Sequence, residues 1–317
     1  MAHMTSGTPG TRTLRGFAVI STSALSTQSG AAVGSLAFST MTPVGVVAVR
    51  QLVAALVLLP MTRPRVWQFT RSQWWPLGLL AFFFAGMNTA LYAAVERVGL
   101  GMAVTIEFLG PLAVALISGR RPRDAVCAAL ALSGVVLLTR PGPTSDLLGL
   151  SFAVIAAVCW AGYIVTNRVV GQRLPGVQGT AVATTLSACV TVPIAALIVW
   201  QAQPPAQAFL FAAVAGILAT AVPYSLDLIV LRRISPVVFG LGMSMHPFFA
   251  ALIGLVALSE DLPLIAWAGI GLVILSNVLT IISDQPHRTY RRRGREGSWD
   301  RRPAGRGPGG SAEGKRR

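Results

Sequence analysis

The sequence predicts an all-α integral membrane protein with ten transmembrane helices arranged as two inverted five-helix repeats. Three observations carry that expectation. The chain is 53% hydrophobic with only 12% charged residues and has a mean hydropathy of +0.65, too little charge to cover a soluble surface. Apolar runs of about twenty residues recur along it, each long enough to cross a hydrocarbon core roughly 30 Å thick. The first half of the chain also returns in the second at an almost constant offset.

Ten runs qualify as spans: 16–36, 44–61, 74–95, 101–119, 124–140, 147–167, 177–199, 208–229, 236–258 and 263–283. In lipid the backbone must pair internally, which leaves helices or closed-barrel strands. Barrel strands would be about ten residues long with alternating polarity. These runs are longer and do not alternate, so they are helices. The first follows Arg12 and Arg15 and has the look of a signal peptide, but nine further spans favour a retained helix.

The repeat is visible residue by residue. "FAVI" occurs at 17–20 and again at 152–155, an offset of 135. In the fourth and ninth spans Pro111 matches Pro247, and Ala115-Leu116-Ile117 matches Ala251-Leu252-Ile253, an offset of 136. Gly134 and Gly271 lie 137 apart in the fifth and tenth. An odd number of helices per half makes the second half enter the membrane from the opposite side. Inverted repeats of this kind place a substrate site near the midplane and allow alternating access. The expected domains are a disordered leader (1–15), two repeats (16–140 and 141–283) and a disordered basic tail (284–317).

Charge placement orients the chain. With the N-terminus inside, 23 of the 26 Lys and Arg residues fall on inside segments, against Arg97 and Arg140 outside and Arg50 within a span. The positive-inside rule therefore puts both termini in the cytoplasm; a bacterial plasma membrane is the expected location. The net charge of +15 is concentrated in the Arg/Gly/Pro tail, which suits anionic lipid head groups. No nucleic-acid partner is expected.

Ionisable groups within spans are costly and need a reason. Glu107 interrupts "GMAVTIEFLGPLAVALIS". It lies six residues into its span, as Arg50 does in the second, so the two share one depth roughly 9 Å below the outer edge. Glu107 either faces a pathway, binding an amine or a proton, or anchors helix packing. His246 lies near the midplane beside Pro247 and either carries a proton or packs. Asp227, near Arg232 and Arg233, suits a structural or gating ion pair. The first span is unusually polar, with Ser23, Ser26, Thr27, Gln28 and Ser29 together, which suits a cavity or neighbouring helices. Gly30 and Gly34 allow close helix approach. Asn88, Tyr92 and Tyr224 add polar tips, and Trp160 and Tyr163 are candidate cavity walls. Pro111, Pro223 and Pro247 are candidate helix breaks that free backbone carbonyls. Trp67, Trp74, Trp75 and Trp200 suit an interfacial belt.

Other chemistry finds no support. There is no phosphate-binding GxxxxGK[ST] motif and no reactive constellation of an enzyme. Cys127, Cys159 and Cys189 form neither a CxxC pair nor a metal pattern. No cofactor or metal is expected, and oligomeric state is open.

The segments "STQSGAAVGSLAF", "GMNTALYAAVERVGLGMAVTIEFLGPLAVALISGRRPRD", "CWAGYIV" and "TAVPYSLDLIVLRR" resemble the drug/metabolite transporter superfamily of EamA type, and more closely its threonine/homoserine exporter branch. The resemblance runs from about residue 16 to 283 and implies a ten-helix basket with both termini inside. It implies export of small amino acids or related metabolites, driven by a proton gradient. His246 and Asp227 stand where that pattern carries glutamates. Efflux of apolar or cationic compounds, using Glu107 and the aromatics, is the alternative.

Overall fold

The computed structural model describes residues 9–118, 122–139, 146–174, 178–223 and 243–283. Apart from Ser283, these lie in one unit, Met1–Ile282; the other, Ser283–Arg317, otherwise falls outside the described residues. The described residues form helices joined by short turns, with no strand among them. In chain order they are α1 (Pro9–Ser35), α2 (Pro43–Thr62), α3 (Arg71–Val98), α4 (Leu100–Glu107), α5 (Leu109–Ser118) and α6 (Pro122–Thr139). Then follow α7 (Leu147–Arg173), α8 (Gln178–Ala202), α9 (Ala206–Gly216), α10 (His246–Ala257) and α11 (Leu264–Ser283). α1 begins at Pro9, ahead of the span expected from 16.

Four helical segments are long and apolar enough to cross a membrane: Pro43–Thr62, Arg71–Val98, Leu147–Arg173 and Gln178–Leu197. Many large apolar side chains face outward, while several polar ones are buried within the apolar core. Leu56, Phe82 and Val158 are 65%, 66% and 63% exposed, while Gln28, Gln51 and Glu107 are 4–5% exposed. Apolar side chains facing outward around a polar interior suit lipid as the solvent. Trp67, Trp74, Trp75 and Trp200 are all exposed.

Local chemistry sets the helix ends. Thr42 accepts a hydrogen bond from the Gly45 N–H at 3.4 Å and Pro43 opens α2, a side-chain cap followed by a proline whose missing N–H costs nothing there. α3 starts with a capping box between Thr70 and Gln73. It stops at Gly99, whose φ of +82° suits glycine. The Glu260 carboxylate, from the α10–α11 turn, then accepts from the N–H groups of Leu100 at 2.7 Å and Gly101 at 3.3 Å. It thus satisfies donors that a helix start leaves open. A Cβ at Gly99 would lie 2.9 Å from Glu260 Cδ.

α3 and α7 run antiparallel and are tied at both ends. Arg97 pairs with Asp146 at 3.0 Å at one end. At the other, Gln73 Nε2 donates to the Arg173 carbonyl at 3.1 Å and Arg173 donates to the Ser72 carbonyl. α6 crosses α11 closely: a Cβ at Gly134 would lie 2.6 Å from the Gly269 carbonyl oxygen, and Ser276 donates to the Cys127 carbonyl at 2.6 Å. Gly271, the residue aligned with Gly134, has open space around it, so the glycine that permits the crossing is Gly269. Cys127 and Cys159 are buried and Cys189 is exposed; all three are free thiols.

Candidate functional site

Pro111, Pro223 and Pro247 accompany the helix irregularities beside the site. In a continuous helix the Glu107 carbonyl would accept from the N–H of residue 111, but Pro111 has none. The helix breaks at Phe108, so α4 ends at Glu107 and α5 begins at Leu109. Similarly, a helical residue at Met243 is followed by a turn at Ser244–Met245 before α10 starts with His246 and Pro247. The two interruptions fall at positions about 136 apart, the offset at which the sequence repeats. A third irregularity precedes Pro223. Residues Ile217–Ala221 form a π turn in which the Val222 N–H reaches back to the Ile217 carbonyl. Ser26 Oγ of α1 donates to the bypassed Leu218 carbonyl at 2.7 Å. Gly30 allows this approach, since a Cβ there would lie 2.6 Å from Ala219 N.

A cavity of about 210 Å³ lies among these interruptions, with walls from α1, α2, α3, α4, α7, α8 and the π turn. Its polar surface includes Gln28, Arg50, Gln51, Asn88, Glu107, Thr184 and His246; Phe84, Trp160 and Tyr163 supply aromatic wall. Among the described lining residues Glu107 is the sole carboxylic acid.

The polar stretch of α1 is resolved into separate tasks. Thr27 Oγ1 donates to the Ser23 carbonyl at 2.9 Å within the helix, Ser26 crosses to the π turn, and Gln28 enters the cavity. Gln28 Nε2 lies 3.0 Å from His246 Nδ1. The His246 ring is stacked on Phe108 with centroids 5.7 Å apart, and Phe108 meets Trp160 edge-on at 4.8 Å. The residue that breaks α4 thus forms an aromatic floor between α7 and α10.

Glu107 is buried, and its Oε1 has no hydrogen-bond partner among the described residues. Arg50 is close enough to act on it electrostatically, but no salt bridge within 4.0 Å joins them among the described residues. The Arg50 guanidinium instead lies over the Tyr92 ring, 5.3 Å from its centroid, a cation–π contact. Tyr92 is itself buried and is not among the cavity-lining residues; it supports Arg50 from behind. Asn88 donates to the Phe84 carbonyl at 2.8 Å. Asn167 Nδ2 donates to Tyr163 Oη at 3.4 Å.

Of the residues singled out in the sequence, Gln28, Arg50, Asn88, Glu107, Trp160, Tyr163, Pro223 and His246 meet at this cavity. Tyr224 and Asp227 lie outside the described residues. Gln51 and Ser187 were not singled out. Ser187 Oγ donates to Gln51 Oε1, and Gln51 Nε2 is buried with no partner among the described residues. The signal for Gln51 was present: it directly follows Arg50 in an apolar run. Ser187 carries no such signal, because hydroxyls are common in membrane helices. No group of three His, Cys, Asp or Glu residues able to hold a metal occurs among the described residues.

A polar cavity enclosed by apolar membrane helices, several of them interrupted beside it, defines the class as a helical membrane transporter. Residues 147–282 match the EamA-like transporter family. The chain is 36% identical over 256 residues to the threonine/homoserine exporter RhtA of Escherichia coli (strain K12), covering 80% of this chain and 86% of that protein. It is 37% identical over 240 residues to RhtA of Salmonella typhimurium (strain LT2), covering 75% and 81%. The chain belongs to the EamA-like transporter family. A protein of known crystal structure shares the fold with a TM-score of 0.55 at 20% identity, over 90% of this chain and 99% of that one.

Proposed function

We propose that the protein is a secondary active exporter of small hydroxylated amino acids, of the threonine and homoserine kind, in a bacterial plasma membrane. The observation that carries this reading is the cavity around Glu107. A buried carboxylate oxygen without a protein partner is costly, and a substrate ammonium group would satisfy it. The Arg50 guanidinium, held over Tyr92, supplies donors for the substrate carboxylate. The cavity is also smaller, at about 210 Å³, than the roughly 300–1,000 Å³ of sites that enclose drug-sized ligands, which favours a small metabolite over bulky apolar compounds. The threonine/homoserine exporters named above point to the same substrate class.

Export works by alternating access between two inverted five-helix repeats, 16–140 and 141–283, with both termini cytoplasmic. The antiparallel α3–α7 pair and the interruptions about 136 residues apart support this arrangement. The driving force is a proton gradient. With one carboxylic acid among the described cavity residues, proton and ammonium compete for Glu107, so binding one releases the other. His246, held by Gln28 and Phe108, orients the far wall in this scheme.

The test is uptake of labelled threonine or homoserine into everted membrane vesicles containing the protein, with and without an imposed pH gradient. Flux above empty vesicles that rises with the gradient is expected. Flux equal to that of empty vesicles would rule out amino-acid export, and flux indifferent to the gradient would rule out the proton.

A further inference from the structure

Among the described residues, two buried polar atoms on the cavity lining lack a hydrogen-bond partner: Glu107 Oε1 and Gln51 Nε2. The first is an acceptor and the second a donor, so they ask for different things. Glu107 suits an ammonium group. Arg50, next to Gln51 on α2, brings a positive charge that suits a carboxylate. A neutral amide N–H beside such an arginine adds little to carboxylate binding, but it matches an uncharged oxygen.

Gln51 is also tied to α8. Its carbonyl oxygen accepts from Ser187 Oγ, which leaves the amide nitrogen as the end free to meet a ligand. Its side chain is buried, with 5% relative exposure, and Thr184, one turn from Ser187, lines the same cavity. The amide nitrogen is thus a buried donor without a partner among the described residues.

We propose that Gln51 is the specificity-determining residue of the cavity, donating from its side-chain amide to the side-chain hydroxyl of the substrate, with Ser187 as its positioning residue. This rests on the amino-acid export reading above. A site built to hydrogen-bond a hydroxyl rejects the analogue that lacks it, because the buried polar group stays unpaired. Threonine and valine are nearly isosteric, as are homoserine and norvaline, so each pair differs mainly in this one group.

The experiment measures initial uptake rates of labelled threonine and valine, and of homoserine and norvaline, into everted vesicles. Wild type is compared with Gln51→Leu and Ser187→Ala at matched amounts of inserted protein. Wild type is expected to favour the hydroxylated member of each pair. In Gln51→Leu that preference collapses by at least ~10-fold in kcat/KM, through loss of threonine and homoserine transport while valine and norvaline are spared. Ser187→Ala should lose part of the preference in the same direction, since the amide is kept but no longer held. Equal loss of both members of a pair overturns the proposal, because it marks a packing or carboxylate-binding role. An unchanged preference in Gln51→Leu overturns it as well. If Gln51→Leu fails to insert, Ser187→Ala decides, and an unchanged preference there overturns it. Absence of amino-acid flux in wild type overturns the export reading itself, and this inference with it.

Discussion

Replacing Glu107 with glutamine separates the two roles a buried carboxylate can have. The amide has nearly the shape of the carboxylate, so packing around α4 is preserved while the charge is removed. Among the described residues Oε1 has no protein partner, and Arg50 forms no salt bridge with the carboxylate. Little protein-internal bonding is therefore at risk, and a neutral amide is cheaper to bury than a carboxylate. The variant should be at least as stable as wild type. Transport should respond in the opposite direction. A hydrogen bond to a charged group contributes about 1.5–3 kcal/mol, so losing the ammonium contact should lower kcat/KM for threonine by roughly 10- to 150-fold. Initial uptake rates in everted vesicles, at equal amounts of inserted Glu107→Gln and wild-type protein, give the first quantity. Thermal unfolding in detergent gives the second. Wild-type kcat/KM in the variant would refute the assignment, and so would a parallel loss of stability and flux, which would mark a packing residue.

Two further predictions concern the frame around the cavity. Gly30→Leu places a side chain where even a Cβ would lie 2.6 Å from Ala219 N. It should push α1 off the π turn, cost on the order of 1–3 kcal/mol and lower the Tm in detergent, whereas Gly271→Leu, with open space at its site, should leave the Tm close to wild type. At the α3–α7 end, Asp146 is held below the usual carboxylate range, first because the Gly149 N–H donates to it at 2.9 Å and further through Arg97. Its contribution is therefore complete above the ordinary Asp pKa of about 3.9 and is lost as pH falls through the depressed value. Thermal stability of wild type should decline across that acidic window, and Asp146→Asn should flatten the decline; identical pH profiles would remove Asp146 from the account.

What the sequence made visible was what covalent structure dictates. Proline lacks an N–H wherever it stands, so Pro111, Pro223 and Pro247 mark candidate interruptions, although Pro193 lies inside a continuous helix. A lone acid in an apolar run is likewise conspicuous because it is expensive. Partners were not visible, because they depend on which helix faces come together. Nothing in "STQSG" says that Gln28 meets His246, more than two hundred residues away, or that Ser26 serves a carbonyl left open ahead of Pro223. Arg50 and Glu107 share one depth, which allows a pair, yet depth fixes only one coordinate. Arg50 rests on Tyr92, and that displaces Tyr92 from the cavity wall to a supporting place. The same limit hid Gln51, whose importance comes from a partner on α8 that occupies its oxygen and leaves its nitrogen unpaired. The match between the two halves is therefore strongest in the backbone breaks and weakest in the polar groups. At an offset of 136, Glu107 corresponds to Met243, and His246 has no acidic counterpart. If one half rocks against the other, the breaks supply hinges on both sides, while the carboxylic acid among the described cavity residues lies on one. A single carboxylate of this kind can hold a proton or an ammonium but not both, and that exclusivity is what an exchanger needs.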